Sequence, residues 1–146
     1  MPRNQKDFTY DAALLLKDAG AITADAAAQV AAVNKILDLG LARVDARVII
    51  DVSAIDVAST DELYNLKFQL SNSSTFASGV IGQGTIALGA AAGLIGESAA
   101  SVVGRYELGV CNEVNGTLYR YARMYTDVAG TTPSINYTGF LVQQPG

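Results

Sequence analysis

Few side chains in this chain could do chemistry, and their spacing narrows the options further. Asp51, Asp56, Asp61 and Glu62 crowd one stretch and could hold Ca²⁺ or act as paired carboxylates. Their spacing matches no EF-hand loop. Asp51 falls within a run of β-branched residues and the other three flank a turn, so all are expected as solvated acids. Cys111 is the only cysteine and there is no histidine. The commonest general base and metal ligand are therefore missing, and no Ser-His-Asp, Cys-His or His-zinc site can form within one chain. Without a base, Cys111 reads as an inert buried thiol. Gly82-Gln83-Gly84 starts a GxG, but Gly89 comes two residues too late for GxGxxG. Gly79 to Thr85 gives GxxxxG followed by Thr without the Walker lysine, so no phosphate motif is complete and the passage reads as a pliable sheet corner.

The most distinctive pattern is Tyr119-Arg120-Tyr121-Ala122-Arg123-Met124-Tyr125. On a strand, Tyr119, Tyr121, Arg123 and Tyr125 share one face. Tyrosine and arginine together suit protein interfaces and also base stacking. The 14 acidic against 10 basic side chains and pI near 4.6 argue against nucleic acid as the main partner.

The elements that must position these residues read as mostly β. A length of 146 residues suits one domain with its own core, and the low charged fraction of 16% argues against disorder. Ala12 to Leu16 is a buried strand or one helical turn. The alanines of Thr23 to Val33 favour helix, with Thr23 as N-cap and Asp25 in the first turn. Strands follow at Arg47 to Val57, Leu63 to Leu70, Thr85 to Leu88, Arg105 to Val110, Thr117 to Thr126 and Ser134 to Val142, separated by Asn-, Gly-, Thr- and Pro-rich turns. Arg47 to Val57 reads as a central strand. In Leu63 to Leu70, residues Tyr64, Leu66, Phe68 and Leu70 fall on one buried face. Seven or eight short strands without crossover helices fit a β-sandwich or barrel. The N-terminus does not read as a signal peptide, and the uncharged stretch from Ser71 to Gly96 is interrupted too often by glycine to span a membrane.

From about Leu14 onward the chain resembles the capsid cement, or decoration, proteins of tailed bacteriophages, of the kind found on the Bordetella phage head. The resemblance rests on Ile36-Leu37-Asp38-Leu39-Gly40 after an Ala/Thr-rich lead, the strand around Val48 to Val57, and Gly104-Arg105-Tyr106. It continues through Asn112-Glu113, Tyr119-Arg120-Tyr121 and Gly130-Thr131-Thr132-Pro133-Ser134. It implies an all-β jelly-roll sandwich over residues 13–146. Residues 1–12 read as an N-terminal extended arm; the stretch Met1 to Tyr10 is extra to the family pattern and the Ala24 to Val33 lead is longer than the family's. The resemblance also implies a non-enzymatic structural protein on the virion exterior, made in the host cytoplasm. Its partners would be the major capsid protein and its own copies, as a homo-dimer or homo-trimer at a symmetry axis, without cofactor, metal, nucleic acid or membrane. Under this resemblance the alanine run is expected to be extended, against its helix propensity. The expected contact residues are Phe8 and Tyr10 in the arm, Arg105 and Glu107, and Tyr119, Tyr121, Arg123 and Tyr125. A competing reading is a carbohydrate-binding jelly roll with tyrosines as sugar platforms, disfavoured by the absence of Trp.

Overall fold

The computed structural model describes residues 12–143. The chain there is all-β and antiparallel, with only two short 3₁₀ turns, Ala12–Leu14 and Ala91–Gly93. Its strands are β1 Leu15–Lys17, β2 Ala21–Ile22, β3 Ala26–Ala27, β4 Gln29–Val30, β5 Val33–Asn34, β6 Leu37–Asp38 and β7 Asp45–Ile55. They continue as β8 Leu63–Ser71, β9 Ile81–Gly89, β10 Gly104–Cys111, β11 Glu113–Val114, β12 Thr117–Leu118, β13 Tyr121–Ala129 and β14 Ile135–Gln143. No helix among the described residues is long and apolar enough to cross a membrane.

The first sheet runs β1-β14-β7-β10, with β2 also paired to β14. The second runs β3-β13-β8-β9, with β6 also paired to β13. Strand alternation builds the core between them. Ala46, Val48, Ile50 and Val52 of β7 are buried alternately, as are Tyr64, Leu66, Phe68 and Leu70 of β8. With Met124, Tyr137 and Leu141 they form one apolar cluster. Burying a side chain of this size contributes roughly 1.5–3 kcal/mol each. At the β9 and β10 edges Gly84 packs under Leu108, whose Cδ2 would stand 2.8 Å from a Cβ placed there and would have to shift to admit one.

A second apolar row crosses the opposite face of the first sheet. Leu15, Phe140 and Ile49 are in register there, with Val142 beside them, and Ile49 is fully buried.

Hydrogen bonds tie the loops into two clusters. At one end the Asp25 carboxylate accepts from Val128 N–H at 2.7 Å, and Asp61 accepts from Thr131 N–H and Oγ1. Glu62 C=O accepts from Ala90 N–H there, while Tyr64 Oη donates to Asp56 C=O and accepts from Ser134 N–H. At the other end the buried Asn112 side chain accepts from Val44 N–H and donates to the carbonyls of Ala42 and Tyr119. Asn72 joins that end to Leu118 and Arg120.

Four expectations need correction. Residues 23–33 are not helical. Ala26 and Ala27 pair with Thr126 and Tyr125, Ala28 N–H donates to Met124 C=O, and Ala31 and Ala32 turn with positive φ of 53° and 62°. Sheet partners outbid the alanine propensity, and Asp25 serves β13 instead of a first helical turn. The predicted strand from Thr117 to Thr126 is broken at Tyr119 and Arg120, where the chain bends to meet Asn72. Glu62 is no solvated acid. It is fully buried, with Oε1 accepting from Ser59 N–H and Oε2 without a partner among the described residues. Cys111, expected buried, is partly exposed at the end of β10, where its Sγ accepts from Glu113 N–H.

Candidate interaction surface

β13 lies between β8 and the β3/β6 lead, so its outward residues stand mid-sheet. Ala122, Met124 and Thr126 point into the core and are buried, which turns Tyr121, Arg123, Tyr125 and Asp127 outward as half-buried side chains. The register sets Arg123 opposite Gln69 and Tyr125 opposite Lys67 on β8.

Each charge on this face has a definite environment. Arg120 makes a two-pronged ion pair to Asp38, Nε to Oδ1 and Nη2 to Oδ2 both at 2.9 Å, and its guanidinium lies 5.3 Å from the Tyr121 ring centre. The Arg120 hydrogen bond, aided by Gly40 N–H, holds the Asp38 carboxyl down to about 2, and the same bond raises Arg120. Lys67 pairs with Asp127. Arg123 differs. Its Nε donates to Gln69 Oε1 at 2.9 Å, and its guanidinium sits 4.5 Å from the Phe76 ring centre and 5.3 Å from that of Tyr125. Desolvation by burial lowers its pKa. Phe76 is 7% exposed and reaches Arg123 from the 72–80 loop, where its backbone takes φ 57° and its N–H donates to Ser73 C=O.

The structure thus brings Tyr121, Arg123 and Tyr125 together. Tyr119 lies just before the strand, its N–H donating to Asn112 C=O, and lines a shallow cavity of about 490 Å³ with Asn72, Ser73 and Val80. Arg105 and Glu107 belong to the other sheet. Arg105 binds Asp51 through Nε at 2.7 Å and Nη2 at 2.9 Å, which raises its pKa, and Glu107 accepts from Arg47 at 3.5 Å. Phe8 and Tyr10 lie outside the described residues, as does all of the proposed arm except Ala12.

Two further surfaces carry little sequence signal. The 90–103 loop exposes Ile95 fully, with Val102 and Val103 more than half exposed, and its one charge is Glu97. On the lateral side where β1 and β3 end the sheets, an open cavity of about 470 Å³ is walled mainly by alanines, with Lys17, Asp18 and Gln29 at its lining. The Lys17 ammonium is already held by the carbonyls of Asp18, Gly20 and Tyr137 at 2.8–2.9 Å, and burial lowers its pKa.

The four acids do not converge. Asp51 is paired with Arg105, Asp56 accepts from Ala58 N–H and Asp61 from Thr131, and no group of three or more Asp, Glu or Cys among the described residues could hold a metal. The arrangement on the second sheet can instead bind a surface, through aromatic area and one clamped cation. Compared with protein-family models, curated proteins and solved structures, the chain gives no match.

Proposed function

We propose that this protein is a non-enzymatic structural component that binds the outside of a phage head shell and bridges neighbouring capsomers. One observation carries the reading: the order of strands in the two sheets. Setting aside the small β11-β12 pair, and counting β1 with β2 as one strand and the β3 to β6 lead as the next, the described residues have eight. The first sheet then runs first, eighth, third, sixth, and the second runs second, seventh, fourth, fifth. That interleaving supports the jelly-roll reading that the sequence resemblance implies. The exposed apolar 90–103 loop and the Tyr/Arg face supply contact area at two separate places on the sandwich. A module repeated over a shell needs only modest affinity per contact, since simultaneous engagement of linked copies gives firm attachment. The sugar-platform alternative is weaker, because Arg120 and Arg123 each already engage a ring of the tyrosines it would use.

The test is co-sedimentation of the purified protein with heads assembled without it, followed by heating. Binding at saturable stoichiometry, with genome release moved to higher temperature, is the expected result. Heads that neither bind the protein nor gain stability would remove the proposal.

A further inference from the structure

The described arginines are used in a consistent way, with one exception. Arg43 meets Asp45 and Glu113, Arg47 meets Glu107, Arg105 meets Asp51 and Arg120 meets Asp38. Arg123 alone among them has no carboxylate within ion-pair reach, and neither of its Nη groups donates to a described residue. It is nevertheless held in place: Gln69 takes Nε, and the guanidinium carbon lies 4.5 Å from the Phe76 ring centre and 5.3 Å from that of Tyr125.

We infer that Arg123, held beside Phe76 and Tyr125, receives a single carboxylate from the surface of a partner protein. Three observations lead there. First, the guanidinium is preorganised: its Nε is already spent on Gln69, leaving the Nη edge free for a carboxylate, which accepts two parallel N–H bonds in that geometry. Little side-chain entropy remains to be lost on binding. Second, the charge is half-buried without a carboxylate partner among the described residues, a cost that an arriving carboxylate offsets. Third, of the cations on β8 and β13 and at Arg120 only Arg123 is unpaired, since Lys67 and Arg120 are neutralised by Asp127 and Asp38. A nucleic-acid backbone needs several unpaired cations in a row, whereas one carboxylate needs one. Tyr121, Tyr125 and Phe76 provide the aromatic surround that excludes water from such an anchor. The inference rests on the proposed function only for the identity of the partner, an acidic patch of the shell. The site itself is defined by its own chemistry.

The test uses the full chain, with arginine side-chain N–H signals followed by NMR during titration with the peptide acetyl-Gly-Glu-Gly-Glu-Gly-amide, its Gln counterpart and an eight-residue oligothymidylate. The Glu peptide should give saturable shifts centred on the Arg123 Nε–H and on Tyr125, with the Gln peptide at least tenfold weaker. Arg123→Gln should abolish the response. Arg123→Lys, which keeps the charge without the planar fork, should weaken it about fivefold and provides the reading if Arg123→Gln misfolds. Equal response to the Gln peptide, tighter binding of the oligothymidylate, or shifts spread equally over all arginines would overturn the assignment. Co-sedimentation with heads is run in parallel. Wild-type protein that fails to bind heads while still responding to the Glu peptide defeats the proposed function and leaves the carboxylate site standing.

Discussion

Replacing Asn112 by Ala removes a staple on which one whole end of the sandwich depends. The side chain is 1% exposed and makes three hydrogen bonds, at 2.7 Å from Val44 N–H and at 3.0 and 3.1 Å to the carbonyls of Ala42 and Tyr119. Each such bond contributes about 1 kcal/mol net, and a buried donor left without an acceptor costs about 1–3 kcal/mol. The Val44 N–H is that donor, so with the two carbonyl bonds also lost Asn112→Ala should cost about 3–5 kcal/mol. For a chain near 150 residues this corresponds to a fall in Tm of roughly 6–20 °C. Asn112→Asp sharpens the test. It keeps the acceptor for Val44 but sets a carboxylate oxygen against two carbonyls, so at neutral pH it should cost at least as much as Ala despite its matching shape. Urea unfolding with an unchanged m-value reads both. The reasoning fails if Asn112→Ala lies within 0.5 kcal/mol of wild type, in the range usual for a surface substitution, or if Asn112→Asp is as stable as wild type at pH 7.

Gly130→Ala should be strongly destabilising, by about 3 kcal/mol or more in urea unfolding, because its Cβ would stand 2.6 Å from Asp61 C=O at φ +106°. Gly116→Ala, also at positive φ but in open space, should cost only about 1 kcal/mol. The Asp38 carboxyl should titrate near pH 2 by carbon NMR. Its folded-state pKa is depressed, so the stability it contributes is present above about 4 and lost as pH falls towards 2, and Asp38→Asn should remove that acid limb. Burial pushes the Tyr137 hydroxyl up to about 12, so its contribution is complete below about 10 and lost as pH rises towards 12. Ultraviolet titration should show Tyr137 still un-ionised above the ordinary tyrosine range, with buried Tyr64 shifted in the same direction. Ile95→Asp should leave Tm unchanged and weaken co-sedimentation with heads; an unaltered head affinity would exclude the 90–103 loop from the contact.

Strand positions were legible wherever one face had to be apolar. The alternation of Tyr64, Leu66, Phe68 and Leu70 is the buried pattern of β8, and the β-branched density from Arg47 onward marks β7, the central strand between β14 and β10. β9 was legible only at its end. It begins at Ile81, four residues before the predicted start, because Gly82 and Gly84 carry no side chain to signal a strand, while Leu108 packs over Gly84. The alanine lead was misread by local propensity because its determinants, β13 and the Asp18 carboxylate that accepts from Ala31 N–H, are remote or outside the helix rules. At the site, the shared face of Tyr121, Arg123 and Tyr125 followed from period two alone. The clamp did not: Phe76 lies 47 residues from Arg123 and reaches it through a loop with left-handed backbone, a geometry no spacing announces.

The pairing of Leu15 with Phe140 has a consequence for how this protein is made. The first strand waits for the last, and among the long strands only β8 and β9 are neighbours both along the chain and in a sheet. During synthesis the emerging chain can close that one hairpin early and pair β10 with β7 once β10 is made, while β1 and the other edge of β7 stay without their partner β14. Such topology folds slowly, on the millisecond to second scale, and leaves apolar strands open to chaperones and to one another until β14 has been made. Expression yield should therefore respond more to translation speed and temperature than to substitutions on the finished surface.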